Sequence, residues 1–231
     1  NFTDYYKNHK YSEHKVDYKG SYVFYDKNFW NAIKDYDKKN SLILEIGSWQ
    51  WTFAYYCKEL WFKNYIWFDL DPVIINQTQK QYKDYCFYNL DVFDHLQKNK
   101  NKYDIILISH VFEHFSLDEW IKLASLIFQS LKKWWVWLNS MPNASAPYQS
   151  WYTRYNDITH KIIYTDNSFN QILLSTWFNK RLIVHKNEYI WYGFFKRTIF
   201  IIWSLFNKII WASVWYLPKI YTSSIISIIK K

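Results

Sequence analysis

The chain has 231 residues, a length that suits one domain with a substantial core. Half of the residues are hydrophobic, which excludes an intrinsically disordered protein. The formal net charge of +9 would suit an anionic partner such as RNA or a membrane surface. Because the lysines are scattered along the chain, the charge alone is a weak indication of such a partner.

The cysteines and the N-terminus bear on location. Cys57 and Cys86 are too few for a disulfide framework, so we expect two buried, reduced thiols. Nothing near Asn1 resembles a signal peptide, although a start other than Met leaves the completeness of the N-terminus open. We therefore predict a cytoplasmic protein. No cluster of cysteines and histidines has the spacing of a zinc site, so the sequence predicts no metal site.

Tryptophan and glycine have unusual frequencies, with 15 Trp and 3 Gly, whereas about 7% glycine is ordinary. Glycine commonly follows the last residue of a helix, in the left-handed conformation and before a hydrophobic residue. Trp61 and Trp177 occupy such positions, each before a Phe, and Trp134 and Trp135 follow another predicted helix end. We therefore expect positive φ angles at these helix ends.

These positions suggest that the gene was translated with a code table that reads UGA as Trp, in an organism that reads it as Gly. The many residues with A/T-rich codons fit a genome of that kind. The alternative is a genuinely Trp-rich protein, and Trp30 and Trp137 can be authentic in either case. Sequencing the DNA distinguishes the two, because UGG codons at Trp49, Trp51 and Trp61 would exclude misreading.

The predicted elements begin with an N-terminal helical cap segment over 1–40, whose helix at 28–39 would lie over a site. From residue 41, short apolar runs alternate with helical stretches, which is typical of a parallel βα succession. The predicted strands are 42–46, 65–68, 86–90, 103–109 and 136–140, and the predicted helices between them are 52–60, 73–83 and 117–131. A loop after Pro142, a helix at 167–176, a strand near 181–188 and a closing strand at 223–229 complete the domain 41–231.

Residues 194–217 are strongly apolar, but Asn207 and Lys208 interrupt them. The run falls short of the roughly 20 apolar residues that a membrane-spanning helix needs. We expect a buried or interfacial helix here. Lys196 and Arg197 beside it would support peripheral membrane contact.

The first apolar run leads into a turn rich in small residues. Glu45, Gly47, Ser48, Trp49 and Trp51 belong to a segment that becomes E-I-G-S-G-Q-G when glycine replaces both tryptophans. That segment resembles the first motif of class I S-adenosylmethionine-dependent methyltransferases, in which glycines let the backbone approach the cofactor. The resemblance assigns these five residues to cofactor binding. Two indoles would fill the same space, so we expect no binding with tryptophan at both positions.

The ends of the next two strands extend the resemblance. The family places an acidic residue after the second strand to accept hydrogen bonds from the ribose, which implies Asp69 here, beside Leu70. Asp71 is expected to cap the next helix, with Pro72 in its first turn. After the third strand, the family has an acidic residue near the adenine amino group and a backbone N–H beside it. These are Asp91 and Val92.

Two later segments complete the resemblance, which spans roughly 42–178. Residues 109–114 resemble the part of the family that borders the methyl group and imply a cofactor contact at His110. Residues 132–143 resemble its K-x-G-G turn, strand and P-N exit. The implied fold is an α/β Rossmann-like three-layer sandwich with a mostly parallel seven-stranded sheet and an antiparallel last strand.

Each assigned residue also has a simpler interpretation. Asp69 and Asp91 could be solvated carboxylates at strand ends, although the strand-turn-helix context favours cofactor contact. Glu113 and the histidines near it could orient or cap the following helix. His160 could be a core histidine or a substrate contact.

The resemblance implies S-adenosyl-L-methionine as cofactor and methyl transfer by in-line displacement, in which the protein supplies binding and alignment. His110, His114 and His160 are candidate catalytic bases, because neutral imidazole accepts protons near pH 7. Residues 154–168 resemble a subgroup that modifies glycans or other small molecules, which favours such an acceptor.

Two other functions stay open. An RNA methyltransferase would use the positive charge, but the chain lacks an N-P-P-Y tetrapeptide after the fourth strand. A cofactor-binding or membrane-associated protein without catalysis would fit the tryptophans of the glycine turn. The sequence leaves the acceptor atom and the oligomeric state undetermined.

Overall fold

The computed structural model describes residues 16–47, 52–69, 72–146, 149–189, 194–213 and 218–230. The strands are β1 (Leu42–Ile46), β2 (Asn64–Phe68), β3 (Cys86–Tyr88), β4 (Tyr103–Ser109), β5 (Leu131–Pro142), β6 (Ile183–Asn187) and β7 (Ser224–Lys230). The helices are α1 (Tyr18–Ile33), α2 (Thr52–Glu59), α3 (Pro72–Gln81), α4 (Val92–Lys98), α5 (Leu117–Ser130), α6 (Gln149–Asn156), α7 (Asp166–Ser175) and α8 (Phe194–Ala212).

The seven strands form one sheet in the order β3-β2-β1-β4-β5-β7-β6. Strands β1 to β5 pair in parallel, and β7 runs antiparallel to both β5 and β6. The fold class predicted from the sequence, a mostly parallel sheet with an antiparallel last strand, is confirmed.

The central strands are apolar because helices cover both faces of the sheet. Successive side chains of a strand point to opposite faces, so each central strand contributes to two cores. Leu44 and Ile106 belong to one buried cluster, and Ile43 and Ile105 belong to the other. All four side chains are inaccessible to solvent, which explains why these strands appear in the sequence as continuous apolar runs.

Helix α1 lies earlier than predicted, at Tyr18–Ile33 instead of 28–39. It begins where it does because the Asp17 carboxylate accepts a hydrogen bond from the backbone N–H of Gly20 and caps the helix. Helices α4 and α6 were not predicted, since each is short and has no apolar stripe long enough to stand out.

The end of α2 has a backbone conformation that favours glycine. Trp61 has a φ of 66°, as predicted. Its N–H bonds to the Lys58 carbonyl and the Phe62 N–H bonds to the Cys57 carbonyl, both at 3.0 Å. This is the Schellman arrangement, whose left-handed position glycine normally fills. The indole of Trp61 is 73% exposed and Phe62 is buried, so Phe62 supplies the hydrophobic contact of the motif.

Trp134 also has a positive φ, 70°, but for a different reason from the one predicted. Helix α5 ends at Ser130, and the chain enters β5 at once. The register of β5 against β4 shifts between the pairs Tyr103–Leu131 and Ile105–Val136, so Trp134 lies in an irregular stretch of this pairing. Its left-handed conformation is one that glycine adopts without steric cost.

The other two predicted positions differ. Positive φ among the described residues other than glycine occurs at Trp61, Asn101, His110 and Trp134. The prediction is therefore wrong for Trp177, because α7 ends at Ser175 with Thr176 as its cap and without a left-handed residue. It is also wrong for Trp135, which is buried in β5.

Several interior tryptophans are poorly accommodated. The indole N–H groups of Trp67, Trp120, Trp135 and Trp137 are buried and have no hydrogen-bond partner within the described parts of the chain. A buried donor without a partner costs about 1–3 kcal/mol. The rings of Trp120 and Phe112 lie with centroids only 3.4 Å apart, closer than stacked aromatic rings normally approach. Smaller native residues at some of these positions would remove both problems.

The two cysteines differ in exposure. Cys57 is buried as expected, but Cys86 is exposed, because it begins the short edge strand β3.

Helix α8 exposes apolar side chains, among them Ile202 and Ile209, so it is not a buried helix. Contact of this helix with a membrane surface stays a prediction. In the parts of the chain that the structure describes, no helix has the length and hydropathy to cross a membrane.

Replacing the tryptophans at positive φ with glycine should stabilise the fold. A residue with a Cβ in the left-handed conformation costs roughly 1–2 kcal/mol. We expect Trp61→Gly and Trp134→Gly each to raise the free energy of unfolding by about 1 kcal/mol in urea denaturation. Trp177→Gly is the matched control, since Trp177 is equally exposed but not left-handed. Equal destabilisation by all three changes would refute the assignment.

Candidate active site

The residues assigned from the sequence gather at one edge of the sheet. The carboxyl ends of parallel strands meet at the same edge, so Gly47, Asp69, Asp91 and His110 follow β1 to β4 there. Strand β1 lies between β2 and β4, and the direction of the strand order reverses between β1 and β4. Open α/β sheets bind ligands in the crevice at such a switch point.

At Gly47 the backbone packs closely against Val111, in the segment that follows β4. The φ of Gly47 is +61°, and its N–H donates to the Phe68 carbonyl at 2.9 Å. A Cβ at this position would lie 2.5 Å from Cγ2 of Val111, so both the conformation and the space require glycine. Ser48, Trp49 and Trp51 lie outside the described residues, and their cofactor contacts stay predictions.

Glu45 lies within the core and not at the open edge. It is fully buried, and the Tyr65 hydroxyl donates a hydrogen bond to Oε2 of its carboxylate. Burial, together with the nearby charge of Glu45, raises the pKa of Tyr65 well above its usual value. The predicted contact between Glu45 and the cofactor stays a prediction.

Asp69 follows β2, and hydrogen bonds join it there to the last residue of β3 and to the residue after it. Its N–H bonds to the Tyr88 carbonyl at 3.3 Å, and the Asn89 side-chain amide donates to its carbonyl at 3.0 Å. Pro72 begins α3, as the sequence predicts. Leu70 and Asp71 lie outside the described residues.

Asp91 has a structural role that the sequence did not indicate. Its Oδ1 accepts from the N–H groups of Phe93 at 2.7 Å and Asp94 at 3.2 Å, so Asp91 is the N-cap of α4. Val92 is the first residue of that helix, where backbone N–H groups have no intrahelical partner. That backbone N–H is the kind of hydrogen-bond donor that the predicted adenine contact requires.

His110 follows β4 in a strained turn. Its φ is 52°, a conformation in which histidine is more frequent than most residues but still uncommon, and its N–H donates to the Ser140 carbonyl. Its Nδ1 lies 3.4 Å from Oε1 of Glu113, which is buried. Burial opposes both charges, but the mutual attraction prevails, so the pKa of His110 is raised and that of Glu113 is lowered.

A cavity of about 350 Å³ opens beside His110. Its wall comes from the first half of α1 and from residues at the sheet edge, namely Asp17, Gly20, Ser21, Phe24, Tyr25, Thr52, Ser109, His110 and Glu188. Asn28 fixes α1 in place, since its side chain donates to the Tyr189 carbonyl at 3.1 Å and accepts from the Tyr189 N–H at 2.9 Å. Asp17, Tyr25 and Glu188 were not predicted from the sequence, and only the capping position of Asp17 left a local signal.

His114 and His160 do not line the cavity. Their ring centroids are 4.7 Å apart. They meet because the Lys161 N–H donates to the Glu113 carbonyl at 2.6 Å, which joins the segment before α7 to the short 3₁₀ turn Phe112–His114. Burial lowers the pKa of His114.

Comparisons with known proteins agree with this geometry. A family model described as a methyltransferase domain matches residues 24–181, more than half of the chain. No curated protein sequence shows a significant match.

Solved structures share the fold. An S-adenosylmethionine-dependent methyltransferase from Archaeoglobus fulgidus has 20% identity and a TM-score of 0.65, with 91% of this chain and 99% of that chain covered. One from Mesorhizobium loti has 10% identity and a TM-score of 0.58, with 87% and 97% covered. Because the family model matches more than half of its residues, the chain belongs to the methyltransferase-domain family.

Proposed function

We propose that this chain transfers a methyl group from S-adenosyl-L-methionine to a small-molecule or glycan acceptor. The observation that carries the proposal is that Gly47, Asp69, Asp91 and His110 follow four parallel strands at one edge of the sheet, around the switch point where such sheets bind ligands. Gly47 is left-handed and packs so closely against Val111 that a Cβ would overlap it, which is the kind of tight turn that glycine provides beside a cofactor in such folds.

Four described residues would hold the cofactor. Gly47 supplies the close backbone approach, Asp69 accepts from the ribose, Asp91 accepts from the adenine amino group, and the Val92 N–H lies beside it. Asp91 can serve in both capacities, because a carboxylate has a second oxygen besides the Oδ1 that caps α4. When bound, S-adenosyl-L-methionine supplies an activated methyl group on a sulfonium.

The cavity favours a small acceptor without phosphate groups. Its volume of about 350 Å³ is within the range of small-molecule sites. Asp17 and Glu188 line it, and two carboxylates repel the phosphates of a nucleic acid. The same carboxylates can accept hydrogen bonds from the hydroxyl groups of a glycan. A small-molecule or glycan acceptor is therefore favoured over RNA, although the chain is basic overall.

His110 is the base that geometry favours among the three candidate histidines. It lines the cavity, whereas His114 and His160 are not among the lining residues. Its Nδ1 faces Glu113, which would orient the imidazole and leave Nε2 for the acceptor. Glu113 thereby acts as a positioning residue for His110.

Cofactor binding is tested first by calorimetry with S-adenosyl-L-methionine on the Trp49→Gly, Trp51→Gly protein. We expect binding there, and a loss of roughly 10- to 100-fold when Asp69→Asn is added, because a hydrogen bond to a charged group contributes about 1.5–3 kcal/mol. Asp84→Asn is the matched control, since Asp84 is exposed and precedes β3 at the opposite edge of the sheet. No binding to the double-glycine protein would remove the support for an enzyme.

Methyl transfer is tested with labelled S-adenosyl-L-methionine and panels of hydroxylated small molecules, glycans and RNA. We expect label in the first two classes. His110→Gln should lower kcat by at least about 100-fold at saturating cofactor, because a positioned base contributes 10²–10⁴-fold. His95→Gln is the control for the loss of an imidazole. Label in RNA alone would refute the acceptor class, and an unchanged kcat would refute the role of His110.

A further inference from the structure

We infer that Glu113, His114 and His160 form a binding site for a divalent transition-metal cation of the zinc type. Each residue offers one potential ligand atom, and these atoms lie within 4.8 Å of one another. The sequence analysis predicted no metal site, because the ligands come from two segments that are distant in the chain and show no zinc spacing. The fold brings them together through the bond between the Lys161 N–H and the Glu113 carbonyl.

Hydrogen bonds fix both imidazoles in the form that binds metals. Nδ1 of His160 lies 2.6 Å from the Thr153 carbonyl, which can only accept, so Nδ1 carries the proton. The Thr159 hydroxyl donates its single proton to Asp157 at 2.6 Å, and it therefore accepts from Nδ1 of His114 at 2.8 Å. In both neutral rings the lone pair consequently lies on Nε2.

This arrangement matches the surroundings of known metal ligands. A histidine that binds a metal usually donates its other N–H to a carbonyl or to a group held by a carboxylate, which orients the ring. Thr153 has the first role for His160. Thr159 and Asp157 together have the second role for His114.

Glu113 supplies an independent observation. Its side chain is only 2% exposed, and its Oε2 is buried without a hydrogen-bond partner among the described residues. Its Oε1 lies 3.4 Å from Nδ1 of His110 and 4.0 Å from Nε2 of His160. A buried carboxylate with an unpartnered oxygen is costly, and a cation held by Glu113 and the two histidines would offset that cost.

The donor set selects the kind of cation. Two imidazole nitrogens and one carboxylate suit zinc and neighbouring first-row metals, whereas magnesium and calcium prefer oxygen ligands. Three protein ligands leave a further position for water or substrate, as in catalytic zinc sites. Because His110 lines the cavity and lies 3.4 Å from Glu113, the cation would add positive charge close to the proposed base, a role that rests on the proposed function.

The test is a titration of the metal-free chain with Co²⁺, without cofactor or acceptor, followed by visible absorption and calorimetry. We expect one tightly bound Co²⁺ per chain that Zn²⁺ displaces and Mg²⁺ does not. Glu113→Gln, His114→Gln and His160→Gln should each weaken binding at least tenfold, and His95→Gln should not change it. Unchanged binding in the three ligand variants, or equal competition by Mg²⁺, would overturn the site.

A second measurement uses the unaltered chain, in case a ligand variant fails to fold. Diethyl pyrocarbonate modifies accessible imidazole nitrogens, and peptide mass spectrometry locates the modified histidines. We expect Zn²⁺ to protect His114 and His160 and to leave His95 unchanged. Equal modification with and without Zn²⁺ would contradict the proposal. Because neither measurement involves methyl transfer, failure of the metal site and failure of the proposed function are distinguishable.

Discussion

The contact between Gly47 and Val111 is the constraint on which the site depends. With no side chain at Gly47, the backbone after β1 can lie against the residue that follows His110, and any Cβ would overlap Val111. The same glycine adopts a left-handed conformation and bonds to the carboxyl end of β2. Gly47 therefore joins the end of β1 to the end of β2 and allows the segment after β4 to pack against it.

Glu113 is the second organising residue, because a buried carboxylate collects partners from distant parts of the chain. Its carboxylate faces His110 and His160, and its backbone carbonyl accepts from Lys161. These contacts hold the segment after β4 against the segment before α7. Of the three histidines near Glu113, His110 lines the cavity, whereas His114 and His160 do not.

The tryptophans show that a sequence pattern typical of glycine does not always coincide with the backbone that glycine favours. Trp61 completes a Schellman motif and Trp134 lies in an irregular stretch of the β4–β5 pairing, and both residues are left-handed. Trp177 has neither feature, although its sequence context is similar. The local pattern of a helix end followed by a Phe is therefore insufficient by itself, because the backbone after a helix depends on where the chain must go next.

The sequence by itself determined the positions of the strands and of most helices along the chain, since apolar runs and helical periods indicate locally which side chains are buried. It also determined the positions of Gly47, Asp69 and Asp91 at strand ends, which follow from the β-strand pattern. Tertiary structure alone decided that the first half of α1, and not the predicted helix at 28–39, lines the cavity together with Glu188. It also decided that His160 meets His114. These contacts join residues far apart in the chain, and they depend on packing and backbone hydrogen bonds that leave no periodic signal in the sequence.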